Sequence, residues 1–70
     1  MSTPIAKIIE IIGTSSRGWE DAAQTAINEA KKTLHGIHGL KVQDMTADVD
    51  DGGKIIRYKT TVKVSFSIER

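Results

Sequence analysis

His35 and His38 are the only imidazoles of the chain, three residues apart. Two imidazoles at that spacing can share a metal ion, but a third ligand is missing. At the end of a helix both are also simply favoured by the helix dipole. Asp48, Asp50 and Asp51, followed by Gly52, have the look of the acidic half of a calcium loop. The bidentate glutamate that closes such a loop is absent downstream, and a hairpin turn accounts for the same residues. Thr14, Ser15 and Ser16 offer hydroxyls, yet no histidine lies in the same turn and no nucleophile motif surrounds them. They are expected to satisfy loop and cap donors. Gly13-Thr14-Ser15-Ser16 lacks the spacing of a phosphate-binding loop. Trp19 opens an apolar stripe and reads as core rather than as a stacking surface. No base–nucleophile pair emerges, so the chain is not expected to be an enzyme.

Seventy residues make a single domain, 1–70. Chains of this size bury only about 60% of their unfolded surface and commonly add disulfides, metal or association. The sequence has no cysteine, which removes disulfides and thiolate sites and leaves association. A formal net charge of +1 argues against a nucleic-acid binder that works by bulk charge. Lys31 and Lys32 beside Glu29 read as a solvated helix face. No run approaches the ~18 apolar residues of a membrane span. Met1 to Pro4 shows no basic n-region ahead of an apolar block, so a cytoplasmic protein without a membrane partner is expected.

The elements that must position these residues are well marked. From Lys54 to Arg70 the chain alternates. Ile56, Tyr58, Thr60, Val62, Val64, Phe66 and Ile68 point one way, which predicts one long strand with a buried face. About 14 residues span roughly 45 Å, too long for so small a domain to cover alone. Ile5 to Ile12 carries isoleucines on both faces, as a strand buried on both sides does, and again implies a partner chain. Gly13 to Gly18 reads as a turn cluster. Trp19, Ala22, Ala23, Ala26, Ile27, Ala30 and Leu34 form one stripe at the helical period. They predict a helix of about 18 residues, N-capped at Gly18 or Ser16 and stopped near Gly36. Its alanines permit close approach to a sheet. Leu40 to Val49 is a further strand. Leu40 and Val42 share one parity while Met45, Ala47 and Val49 share the other, so a bulge or a change of partner mid-strand is expected near Gln43-Asp44. Asp50-Asp51-Gly52-Gly53 turns the chain into the last strand. The order is β-α-β-β, an α+β protomer.

In combination these segments resemble the dodecin family over nearly the full length. Lys7-Ile8-Ile9-Glu10-Ile11-Ile12-Gly13-Thr14-Ser15 is similar to that family's first strand and Gly-Thr-Ser turn. Trp19-Glu20-Asp21-Ala22-Ala23 with Ala26 resembles its helix start, and Lys31-Lys32-Thr33-Leu34 its helix end. Asp51-Gly52-Gly53-Lys54 resembles its hairpin, and Tyr58 with Val62-Lys63-Val64-Ser65-Phe66 its last strand. The resemblance implies a curved antiparallel sheet wrapped around one helix. It also implies a hollow homododecameric shell that binds and stores a small molecule, with riboflavin or FMN as cofactor. Four positions correspond to the family's ligand pocket: His38, Gly39, Thr46 and Lys59. Gly39 stands where the family's stacking tryptophan is, Lys59 where a glutamine reaches the flavin edge, and Thr46 where many members carry arginine. His38-Gly39 then reads as an open, flexible segment, and weak flavin binding is expected. The alternative is the same assembly without flavin, binding a coenzyme A-type anionic cofactor or calcium and other cations.

Overall fold

The computed structural model describes residues 5–68. Met1 to Pro4 and the end of the alternation at Glu69 and Arg70 lie outside the described residues. Strand β1 (Ile5–Ser15), helix α1 (Trp19–Ala30), strand β2 (Ile37–Val49) and strand β3 (Ile55–Ile68) follow in the expected order. The sheet is antiparallel with spatial order β1-β3-β2. The strand with the most regular alternation is thus the central one.

Directly opposed residues of an antiparallel pair share a face, so the register assigns the faces. Ile9 lies opposite Val64, Ile11 opposite Val62 and Gly13 opposite Thr60. Across β3, Leu40 lies opposite Val64, Val42 opposite Val62 and Met45 opposite Thr60. All belong to the face on which α1 packs. The bulge is present, as a register shift between Val42 and Asp44. Its effect is the opposite of a change of face. The extra residue restores Met45 and Ala47 to the side already held by Leu40 and Val42.

The core is small. Ala22, Ala26 and Ala30 of α1 are buried with Val62 and Val64 of β3, and Ile9, Ile11, Ala23, Ile27 and Ile37 pack around them. Leu34 and Phe66, expected in the core, are half-buried. Thr60 is buried as well, and its hydroxyl donates to the Trp19 carbonyl at 2.8 Å. That bond removes the cost of an unpaired buried hydroxyl. Gly13 is the close-approach residue. A Cβ there would run into the Ala22 carbonyl oxygen and the Ala26 side chain. This explains why β1 continues through Gly13-Thr14-Ser15, where a turn was expected: the glycine is needed for helix–sheet contact, not for reversal.

The helix is shorter than its apolar stripe. It ends at Ala30 with Lys31 as C-cap, 12 residues or about 18 Å. The amides of Lys32 and Thr33 then bond to the carbonyls of Glu29 and Ala30 at 3.2 Å, a tightening of the last turn. The cause is tertiary. β2 begins at Ile37, opposite Phe66, so the chain must already be turning back at Leu34. Gly36 has φ 74°, and its carbonyl accepts from the Ser67 amide at 3.0 Å. Lys31 and Lys32 lie past the helix, and Lys32 pairs with Glu29 at 2.7 Å. Gly18 is the N-cap and contributes no side-chain bond.

Helix α1 packs on β1 and β3. The inner face of β2 is left open: Leu40 and Val42 are each 43% exposed and Met45 60%. On the opposite face of the sheet Ile8 and Ile12 are both 64% exposed. The body measures 59 × 19 × 13 Å, far longer than the helix that covers it. No helix among the described residues is long and apolar enough to cross a membrane.

Candidate functional site

The four positions that the family resemblance assigns to a ligand pocket fall in two places. Thr46 and Lys59 are direct cross-strand partners, whereas Gly39 lies opposite Ser65. Six residues of β3 separate the two rows, about 20 Å. One protomer therefore brings Thr46 and Lys59 together and holds His38 and Gly39 far from them. His38 and Gly39 are strand residues, not an open segment, because β2 starts at Ile37. His38 occupies the register shift between Ile37 and Gly39 and is exposed. Gly39 has no positive φ. A Cβ on it would meet the Ser65 hydroxyl at 3.2 Å.

Lys59 does not stand alone. Its ammonium lies 3.3 Å from Asp48 Oδ2, and Arg57 Nη1 lies 3.1 Å from the same oxygen. Two cations share one carboxylate, which leaves one positive charge in excess. Each pair is part-exposed and worth about 0–1 kcal/mol. The arrangement can attract an anionic group without specifying its shape.

The metal readings of the sequence find no geometry among the described residues. No group of three or more His, Cys, Asp or Glu side chains is close enough to hold an ion. His35 lies in the α1–β2 connection and His38 in β2. Asp50 Oδ1 accepts from the Gly52 and Lys54 amides, each at 2.9 Å. The Asp50 carbonyl accepts from Gly53 at 3.0 Å, and Gly53 takes φ 85°. The acidic run is a hairpin turn held by its own aspartate. Ser15 is equally local: it accepts from the Arg17 amide at 2.9 Å and donates to Asp21 Oδ2 at 2.6 Å. That hydroxyl, aided by the Arg17 guanidinium and opposed by partial burial, holds the Asp21 carboxyl below the usual value of 3.8.

The feature that sequence reasoning missed is a groove of about 380 Å³ between α1 and the open face of β2. Trp19 and Ala23 form one wall and Leu40, Val42 and Met45 the other, with Glu20 and Gln24 at the rim. Trp19 is fixed edge-on against Tyr58, with ring centroids 4.9 Å apart, and its indole N–H donates to the Thr46 carbonyl at 2.8 Å. The signal was present in the bulge at Gln43, which puts the two apolar sets of β2 on one face.

A single helix on a three-stranded sheet of order β1-β3-β2 is the geometry against which relatives can be compared. The dodecin family model matches residues 5–69. The chain belongs to the dodecin family. It is 38% identical over 64 residues to calcium dodecin of Mycobacterium tuberculosis, covering 91% of this chain and 89% of that protein. The crystal structure of that calcium-chelating protein, described with a novel calcium-binding site, superposes with a TM-score of 0.80, covering 93% of this chain and 91% of that one. The chain is 31% identical over 65 residues to dodecin of Thermus thermophilus, covering 93% of each. A dodecin structure from Streptomyces davaonensis, 30% identical, gives a TM-score of 0.91 over 99% of this chain and 100% of that one. Membership places this dodecin among small binding proteins.

Proposed function

We propose that residues 1–70 form one domain whose copies assemble into a hollow homododecameric shell that binds and stores a small molecule without turnover. The observation that carries this is uncovered apolar surface on both faces of one sheet. Ile8 and Ile12 stand out on one side, and Leu40, Val42 and Met45 on the other. A monomer in water rarely keeps such surface, and association is the remaining means of covering it. The ligand positions support the same reading. His38 and Gly39 lie about 20 Å from Thr46 and Lys59, so a pocket that uses all four has to be built by more than one copy. The stored ligand is a flavin by family resemblance, bound weakly because Gly39 presents no ring. The cysteine-free chain fits a reducing, cytoplasmic setting.

A second reading is favoured by Arg57 and Lys59 sharing the Asp48 carboxylate. The excess positive charge suits an anionic cofactor of the coenzyme A type. Calcium, by analogy with the M. tuberculosis relative, would need carboxylates gathered from several copies. Sedimentation and the visible spectrum of the purified protein separate these readings. A high-mass species is expected, and a monomer at micromolar concentration refutes the assembly. A yellow species supports flavin. A colourless one that binds coenzyme A, or calcium by calorimetry, supports the second reading.

A further inference from the structure

Helix α1 packs on β1 and β3, and among the described residues one hydrogen bond ties it to β2. The Trp19 indole N–H donates to the Thr46 carbonyl at 2.8 Å. Thr46 is the midpoint of residues 44–48, the stretch of β2 that lies between the register shifts at Val42/Asp44 and Asp48/Val49. A bulge disrupts the ladder at each end of this stretch. As part of an edge strand it pairs with β3 alone, and the indole is its further anchor.

Trp19 is itself fixed at two points on β3. Its ring meets Tyr58 edge-on, with centroids 4.9 Å apart, and its carbonyl accepts from the Thr60 hydroxyl at 2.8 Å. Tyr58 and Thr60 are the chain neighbours of Lys59, and Thr46 is its partner across the sheet. One residue therefore touches every neighbour of Lys59 on β2 and β3. It does so from behind, because consecutive strand residues face opposite sides. Lys59 projects from the helix-free face, where its ammonium lies 3.3 Å from Asp48 Oδ2 and Arg57 Nη1 lies 3.1 Å from the same oxygen. That meeting depends on register. A slip of one residue in 44–48 would turn Asp48 to the helix side.

We infer that Trp19 is a positioning residue for the group formed by Arg57, Lys59 and Asp48. It pins the register of residues 44–48 from the back of the sheet, and so holds the excess positive charge where an anionic ligand meets it. This rests on the anionic-cofactor reading above.

Trp19→Phe keeps a ring against Tyr58 and the carbonyl that Thr60 uses, and removes only the N–H donor to Thr46. In amide hydrogen exchange without ligand, residues 44–48 should exchange faster in Trp19→Phe, while residues 9–13 of β1 keep the wild-type rate. In calorimetry with coenzyme A as the probe, affinity should fall about 2- to 10-fold, the worth of one hydrogen bond. In a Lys59→Gln background the same substitution should cost nothing further, because the excess charge that it positions is then gone. A merely structural role would lower affinity equally in both backgrounds. Unchanged exchange at 44–48, or equal losses in the two backgrounds, overturns the positioning role. A wild type that binds no coenzyme A, with 44–48 still freed in Trp19→Phe, overturns the anionic-cofactor reading and leaves the role of Trp19 in fixing the register standing.

Discussion

Gly39→Trp combined with Lys59→Gln is expected to tighten flavin binding, and the backbone permits the change. Gly39 lacks a positive φ, so a side chain there carries no conformational strain. Its Cβ would sit 3.2 Å from the Ser65 hydroxyl, which must rotate aside. The cost is the 3.3 Å bond from Ser65 Oγ to the Gly39 carbonyl, about 0.5–1.5 kcal/mol. Lys59→Gln gives up an exposed pair worth about 0–1 kcal/mol, while Arg57 stays on Asp48. The return is one aromatic stack per copy, about 0.5–1.5 kcal/mol beyond burial. A flavin held between two symmetry copies would gain about 1–3 kcal/mol, or roughly 5- to 140-fold in affinity. Quenching of riboflavin fluorescence reads this directly. Gly39→Ala, which adds the Cβ without the ring, should leave affinity unchanged. Equal quenching by the double variant and the wild type refutes the stacking argument. Tight quenching by the wild type refutes the assignment of the pocket, since other side chains must then supply it.

Gly13→Ala should lower the free energy of unfolding by about 3 kcal/mol or more through overpacking, because the new methyl meets the Ala22 carbonyl. Gly18→Ala, with open space around it, should cost only about 1 kcal/mol, the preference for glycine over alanine at an N-cap, and equal losses in the two would disprove the close-approach role. Val62→Ala, at a fully buried site, should cost about 2–3 kcal/mol, measured by chemical denaturation at fixed protein concentration. The half-buried Phe66 should fall short of the ~3–5 kcal/mol of a fully buried ring replaced by alanine. The Asp21 carboxyl is depressed in the folded chain relative to 3.8. Its contribution is therefore present above that pH and lost as pH falls through the lower folded value. Thermal midpoints of Asp21→Asn should depend less steeply on pH below 3.8 than those of the wild type, and parallel curves would show that the Ser15 and Arg17 contacts do not form in solution.

Wherever one local pattern had one structural solution, the sequence alone determined the outcome. The alternation of Tyr58, Thr60, Val62 and Val64 permits only a half-buried strand. Asp50 to Gly53 can bond its own amides and take a positive φ, so the turn needs no distant partner. The alanine stripe has the helical period and little bulk, which fixes both the helix and its closeness to the sheet. The tertiary structure decided wherever two local solutions were open. Leu34 fits the helical period, yet the helix stops at Ala30, because pairing of Ile37 with Phe66 pulls the chain back to the sheet. Gly13 reads as a turn residue, yet it is a strand residue beneath the Ala22 carbonyl. Leu40 and Met45 have opposite parity along the chain. They share a wall of the groove because the bulge at Gln43 adds one residue to β2 and none to β3. Parity is counted along one strand, but a face is defined by pairing with another, and pairing exists only in the folded sheet.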